Sequence, residues 1–164
     1  MKRTPLFDAH RKLGGKLIEF GGWEMPVQYT SITDEHLAVR RAAGIFDISH
    51  MGEVSVSGPQ AEAFLNHTLT NDARKLAAGQ GQYTLLCNQH GGVVDDLYAY
   101  RLSTADYLLI INASRIEEDV AWLEGQLAAF DRVLGVTRNL LPPPNRPMML
   151  SIITRIFRML NCSL

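Results

Sequence analysis

The chain has 164 residues, of which 46% are hydrophobic and 20% are charged, and this composition predicts one globular domain with its own core. The net charge of −1 gives no reason to expect nucleic acid as a partner, and no apolar run is long enough to span a membrane. The charge is uneven. Residues 1–131 hold 11 Lys and Arg against 17 Asp and Glu, a net of −6, whereas residues 132–164 hold five Arg and no acid, a net of +5.

The cysteines and the amino terminus predict a cytoplasmic protein. No apolar segment of a secretory signal follows Met1-Lys-Arg-Thr-Pro. Cys87 and Cys162 are far apart, and Cys87 ends a predicted strand, so a buried free thiol in a reducing compartment is expected there. His67 and His90 are isolated, and no metal-ligand spacing is present, so no metal is expected.

The first elements of the chain are a predicted strand and a turn. Lys16–Phe20 has the apolar and β-branched character of a strand, and Gly21-Gly-Trp-Glu-Met-Pro26 is typical of a turn that folds back. We expect the indole of Trp23 to pack in the core, although it could equally line a ligand pocket.

A helix is predicted over Ile32–Ala43. Ser31 or Thr33 can cap it, and Gly44 suits the left-handed conformation just past its end. One stripe of this helix should pack inward: Ile32, His36, Val39 and Ala43.

Asp47, Ser49 and His50 are the residue types of a hydrolase triad, but they are too close in sequence to imply one, because triads assemble from separate elements. A loop in which these side chains bond to the local backbone is the favoured interpretation.

The rest of the chain predicts a sheet with helices beside it. Glu53–Ser57 alternates like a half-buried strand, and Gly58-Pro59 should open a helix with an apolar side at Ala61, Phe64 and Leu65. Short connections join the next three strands into an antiparallel meander: Gln82–Cys87, Val93–Arg101 and Tyr107–Asn112.

A final helix should start at Ser114, with Glu117 completing a capping box, and pack on the sheet through Ile116, Val120, Leu123 and Leu127. The whole predicts an α+β domain.

Asp95 stands out within the stretch Gly91-Gly-Val-Val-Asp-Asp-Leu-Tyr-Ala-Tyr100. Alternation places it on one face with Val93, Leu97 and Ala99, while Val94, Asp96, Tyr98 and Tyr100 share the other. A carboxylate among apolar groups has a raised pKa unless it is paired, which makes it a candidate for proton chemistry. The alternatives are that Asp95 only accepts turn hydrogen bonds or that a bulge rotates it outward.

Tyr83 and Asn112 lie on the strands beside that of Asp95. An aromatic ring, an amide and a carboxylate could together bind a flat, hydrogen-bonding heterocycle. The spacing alone favours a simpler interpretation, in which Tyr83 is a core residue and Asn112 ends a strand.

Six stretches together resemble one family. They are Thr4-Pro-Leu, Phe20-Gly-Gly-Trp-Glu-Met-Pro-Val, Asp34-Glu-His-x-x-Val-Arg, Ala43-Gly-Ile-Phe-Asp-Ile-Ser-His-Met, Gly91-Gly-Val-Val-Asp-Asp-Leu and Ile111-Asn-Ala. The chain resembles the amino-terminal part of aminomethyltransferase, the T-protein of the glycine cleavage system, from about Thr4 to about Phe130.

The resemblance implies a tetrahydrofolate-binding fold and a reaction with the lipoylated H-protein. Folate attacks the aminomethyl group on the lipoyl arm, ammonia leaves and methylenetetrahydrofolate forms. The family's key carboxylate falls on Asp95. By the same resemblance, the residues lining the pterin pocket are Met51, Tyr83, Leu97 and Asn112.

The likeness fades after Phe130, which predicts a folate-binding domain over 1–131 and a separate basic tail over 132–164. A full-length member has further domains that complete the folate site, so weak folate binding or none is expected. The tail could be a basic amphipathic helix on a membrane surface, but a shifted reading frame or a truncated gene, giving a poorly ordered segment, is favoured.

The alternative functions are a non-catalytic folate-binding relative acting in iron–sulfur cluster assembly, an inert fragment, and the folate domain of a sarcosine or dimethylglycine oxidising enzyme.

Overall fold

A computed structural model describes residues 1–130 and the strand at 135–139. The helices are α1 (Phe7–Lys12), α2 (Ile32–Arg41), α3 (Ala61–Thr68) and α4 (Ile116–Gln126), with short 3₁₀ helices at Ala73–Lys75 and Leu127–Ala129. The strands are β1 (Lys16–Phe20), β2 (Trp23–Gln28), β3 (Gly52–Ser57), β4 (Gly81–Cys87), β5 (Val93–Arg101), β6 (Asp106–Ile111) and β7 (Gly135–Asn139). Apart from β7, the predicted tail and Cys162 lie outside the described residues, and the division at residue 131 stays a prediction.

One antiparallel sheet organises the domain. Its strand order is β4-β5-β6-β3-β7, and β1 and β2 form a separate hairpin. The predicted meander of β4, β5 and β6 is confirmed, and so is the α+β class. Strand β3, which precedes the meander in sequence, pairs with β6, so the sheet extends past the meander.

The core lies between one face of this sheet and helices α3 and α4. In β3 the side chains alternate between buried and half-buried, with Val54 and Val56 fully buried, as the sequence predicted. These valines belong to a cluster with residues of the meander and both helices: Phe64, Leu65, Leu97, Leu109, Ile111 and Leu123. The predicted inward side of α4 is confirmed, because Ile116, Val120 and Leu127 pack against the same cluster.

The first hairpin is tighter than predicted. Only Gly21 and Gly22 form its turn, both with positive φ, and Trp23–Gln28 continues as a strand. The predicted turn over Gly21–Pro26 is therefore wrong beyond its second residue. Pro26 is tolerated in β2 because β2 is an edge strand, and the bridge that Lys2 makes to its outer edge is at Trp23, away from Pro26.

Helix α2 begins as predicted but packs differently. The Ser31 hydroxyl oxygen accepts from the Asp34 backbone N–H at 3.1 Å, which confirms the cap. The helix ends at Arg41, and Gly44 does not have the left-handed φ that we expected. None of its residues is buried and Ile32 is 61% exposed, so the predicted packing stripe is wrong for the part of the chain that the structure describes.

Two helix starts are also displaced. Helix α3 begins at Ala61 with Gln60 as N-cap, so Pro59 precedes the helix. Helix α4 begins at Ile116 with Arg115 as N-cap, and the Arg115 side chain makes no capping hydrogen bond, so the predicted N-cap at Ser114 is wrong. No helix among residues 1–130 is long and apolar enough to cross a membrane.

A buried polar cluster ties the amino terminus to the loop before β3. The Asp47 carboxylate accepts from the Thr4 hydroxyl at 2.6 Å and lies 2.8 Å from Nε2 of His10. The other imidazole nitrogen, Nδ1, lies 2.5 Å from the Tyr29 hydroxyl. With Nε2 protonated, His10 donates to Asp47 and accepts the Tyr29 proton, so each polar group is satisfied. The predicted local role of the Asp47 loop is also seen, because the Ser49 N–H donates to Asp47 at 2.9 Å.

The central strand β6 sets the stability of the core. Leu109 is fully buried, so Leu109→Ala should lower the free energy of unfolding by about 2–5 kcal/mol through lost burial and the cavity left behind. Leu13→Ala, the same change at a side chain that is 71% exposed, should cost less than about 0.5 kcal/mol. Urea unfolding followed by circular dichroism measures both values, and equal losses would contradict this account of the core.

The Asp47 cluster predicts a specific acid sensitivity. Burial raises the pKa of Asp47, but hydrogen bonds from His10, Ser49 and Thr4 outweigh burial and lower the pKa to about 2. Because the folded pKa lies below the unfolded value of about 3.9, the cluster contributes about 2 kcal/mol above about pH 4, and this is lost as the pH falls towards 2. Urea unfolding across this range should therefore show a shallower acid dependence for Asp47→Asn than for the wild type. Asp8→Asn, at an exposed position of α1, should leave the acid dependence of the wild type unchanged.

Candidate active site

A small cavity lies where β5, β6 and the loop before β3 meet. Its volume is about 240 Å³. We call it the Asp95 cavity, and its lining residues are Phe20, Gly21, His50, Met51, Asp95, Asn112, Ala113, Ser114 and Arg115. Three of the sequence-predicted site residues, Met51, Asp95 and Asn112, therefore come together here.

Asp95 points inward. The residue is 7% exposed, and the next residues on the same face of β5, Leu97 and Ala99, are buried at 2% and 0%. The alternation argument therefore holds from Asp95 onward, and the alternative in which a bulge turns this carboxyl group to solvent does not apply. The carboxyl group lies where the helix-covered core ends and the cavity begins.

A bulge immediately before Asp95 changes the pattern predicted for the start of β5. Leu86 of β4 pairs with Asp95, but Cys87 pairs with Val93, so Val94 is the extra residue. Val94 packs against the core and Val93 is 61% exposed, the reverse of the predicted arrangement. Bulges re-aim side chains at the edges of functional sites, and this one places Asp95 next to the irregular end of its strand.

Asn112 holds the Asp95 carboxylate by two hydrogen bonds. Its side-chain Nδ2 donates to Oδ1 at 2.9 Å, and its backbone N–H donates to Oδ2 at 3.3 Å. The same Nδ2 lies 3.1 Å from the Asp96 carbonyl oxygen, so the amide also ties the end of β6 to the backbone of β5. Both oxygens of the Asp95 carboxyl group therefore accept a hydrogen bond from Asn112.

His50 and Arg115 also line the cavity, and the sequence did not single them out as members of this site. The His50 ring meets those of Phe20 and Trp23 at 6.1 and 6.3 Å between centroids. Burial lowers the pKa of His50 more than the charge of Asp47 raises it, which favours the neutral imidazole. The signal in the sequence that could have identified His50 as a member of this site is its position next to Met51. Trp23 is half-buried beside the cavity wall, so its position is intermediate between packing in the core and lining a ligand pocket.

Tyr83 and Leu97 are not brought into this cavity. Tyr83 pairs with Tyr98 across β4 and β5, on the sheet face opposite Asp95, and it is 50% exposed. A hydrogen bond with Asp96 and partial burial raise the pKa of the Tyr83 hydroxyl. Leu97 lies inside the core, one step along the strand face from Asp95.

A larger cavity of about 570 Å³ lies between the first hairpin and α2, and it does not contain Asp95. Its polar lining includes His10, Tyr29 and Asp47, which already satisfy one another. The smaller cavity is the better candidate site because it combines convergent polar groups with a carboxylate that is open to a ligand.

Comparison with known proteins gives the same family from three directions. A family model of the GCVT N-terminal domain matches residues 6–140. An aminomethyltransferase of Bacillus cytotoxicus is 52% identical over 140 residues, 85% of this chain and 38% of the relative. One of Bacillus velezensis is 49% identical over 158 residues, 94% of this chain and 43% of the relative.

A solved structure agrees with these relatives. The crystal structure of glycine cleavage system aminomethyltransferase T from Bartonella henselae superposes with a TM-score of 0.77 at 39% identity, covering 85% of this chain and 38% of that one. The chain thus spans about two fifths of the length of the relatives that it matches. Because the family model matches residues 6–140 and the sequence identity and the fold of the described residues agree with it, the chain belongs to the aminomethyltransferase family of the glycine cleavage system and corresponds to the amino-terminal part of its members.

Proposed function

We propose that this chain forms the pterin-binding part of a tetrahydrofolate-dependent aminomethyltransferase. The observation that carries the proposal is the inward-facing Asp95 carboxylate, which is held by Asn112 and opens into a cavity within a domain of this family. The names of the relatives favour the transferase over a non-catalytic relative in iron–sulfur cluster assembly. A cytoplasmic location belongs to the same proposal.

The proposed reaction joins two substrates. The lipoylated H-protein presents an aminomethyl group on its lipoyl arm, and tetrahydrofolate attacks the methylene carbon. Two nitrogens of tetrahydrofolate bond to this carbon while its bonds to the amino group and to the lipoyl sulfur break. Their two protons pass to the amine and to the sulfur, so ammonia leaves, the lipoyl thiol is released and methylenetetrahydrofolate forms. The H-protein is therefore the proposed protein partner.

Asp95 has the central role in this proposal. Its carboxylate accepts a hydrogen bond from the pterin and helps to manage the proton on the attacking nitrogen. Asn112 is already in contact with that carboxylate and Met51 lines the same cavity, so the geometry supports both as pterin contacts. For Tyr83 and Leu97 the support is the family resemblance alone, because neither lines the Asp95 cavity.

The cavity is small for the ligand. Pockets for molecules of this size usually have about 300–1,000 Å³, whereas the Asp95 cavity has about 240 Å³. We therefore propose that residues beyond those described contribute further walls, and that residues 1–164 alone bind tetrahydrofolate weakly.

Tetrahydrofolate binding is tested by NMR titration of the full 164-residue chain. At millimolar ligand, the Met51 methyl and Asn112 side-chain amide resonances should shift. Asp95→Asn should weaken binding about tenfold or more, because a hydrogen bond to a charged group contributes about 1.5–3 kcal/mol. Asp106→Asn, an exposed carboxylate at the other end of β6, should bind like the wild type. Shifts that avoid Met51 and Asn112 would refute this site.

Transfer itself is tested with aminomethylated H-protein and tetrahydrofolate. Loss of the proposed proton handling predicts that Asp95→Asn lowers the rate of methylenetetrahydrofolate formation about 100-fold or more, while Asp106→Asn does not. Ammonia release, measured in parallel, should fall by the same factor. Equal rates for Asp95→Asn and the wild type would exclude the proton role and leave Asp95 with binding alone.

A further inference from the structure

A second carboxyl group lies behind Asp95. Asp119, the fourth residue of α4, is 0% exposed. Neither of its side-chain oxygens has a hydrogen-bond donor among the described residues, and the group that it faces is the carboxyl group of Asp95. An ionised Asp119 would therefore be a buried charge without a partner, next to a second negative charge.

The surroundings of the two acids determine which one holds a proton. Asp95 accepts from the side-chain and backbone N–H groups of Asn112, so both of its carboxyl oxygens already have donors. Asp119 lacks such donors. A proton on Asp119 itself can form a hydrogen bond between the two carboxyl groups. Carboxyl groups that share a site keep one proton between them, as in the paired acids of aspartic proteases.

The charged groups around Asp119 agree with this assignment. Burial raises its pKa most, the neighbouring Asp95 carboxyl group raises it further, and together they bring it to about 8. Glu118 acts in the same direction, whereas Arg115 opposes the shift. The amino-terminal end of α4 also favours the ionised form of Asp119, but the effect of a helix terminus is modest.

We propose that Asp119 is a positioning residue, which remains protonated at neutral pH and donates its proton in a hydrogen bond to the Asp95 carboxylate. Asp95 is then held from one side by Asn112 and from the other by Asp119, and the pair carries a single negative charge. The functional meaning of this role rests on the proposed function, in which Asp95 contacts the pterin, but the proton sharing exists without any ligand.

The test follows carboxyl titration in the full chain labelled with ¹³C at the aspartate carboxyl carbons, without folate or H-protein. Between about pH 5 and 10, one aspartate resonance should titrate near pH 8, and Asp119→Asn should remove that titration. In Asp95→Asn, the same resonance should titrate lower by about one pH unit or more, because the neighbouring negative charge is gone. Asp96→Asn removes the next carboxylate along β5, which is exposed, and should leave the midpoint unchanged.

Two results would overturn the proposal. If no aspartate titrates above about pH 6, Asp119 does not hold a proton at neutral pH. If the high titration persists unmoved in Asp95→Asn, burial alone causes it and the two acids do not act as a pair. Amide spectra at each pH show that the variants remain folded. Since no folate is present, failure of folate binding leaves this proposal intact, and failure of the pair leaves the folate site intact.

Discussion

The hydrogen bonds from Asn112 to Asp95 fix the one charged group that the candidate site is built around. Asn112 follows the last residue of β6, so its position depends on the register of the whole meander. The register pairs Tyr98 with Ile110, and continuing it by two residues brings Asn112 opposite Asp96, within reach of Asp95. A slip of one residue in β6 would turn the Asn112 side chain to the opposite face and leave Asp95 without its donors. The sheet thus determines both the direction of the Asp95 carboxyl group and the hydrogen bonds that it accepts.

Much of this architecture was predictable because strand and helix periods are local properties. The strands of the meander appear within one residue of their predicted bounds, and the alternation in β3 correctly predicted a half-buried strand. For Asp95, alternation left an inward and an outward orientation open, and the structure has the inward one. The bulge at Val94 was not predictable, since it depends on how β4 and β5 pair rather than on either sequence alone. The prediction that one stripe of α2 packs inward was wrong for a related reason. Helical periodicity identifies an apolar face, but it does not show that anything within the described chain covers that face.

The site was predictable only in part, because its members meet through tertiary contacts. Met51 was identified through family resemblance alone. Asn112 was already a candidate because it lies on the strand beside Asp95, although spacing favoured a role at the end of a strand. Asp119 gave no signal, because an acid in the first turn of a helix is ordinary in a sequence and favourable next to the helix dipole. Only the packing of α4 on the sheet, which places this side chain against Asp95 and away from water, makes it unusual.

The two buried acid clusters of this domain show how neighbours determine the role of a carboxyl group. Asp47 receives hydrogen bonds from Thr4, His10 and the Ser49 backbone, so it stays ionised and ties the amino terminus to the domain. Asp119 is more fully buried and lacks such donors among the described residues, so its stable form at neutral pH is the protonated acid. Asp95 lies between these extremes, with donors on one side and an acid on the other. Asp95 also lines a cavity, so among these three acids it is the one whose carboxyl group is placed where a ligand can contact it.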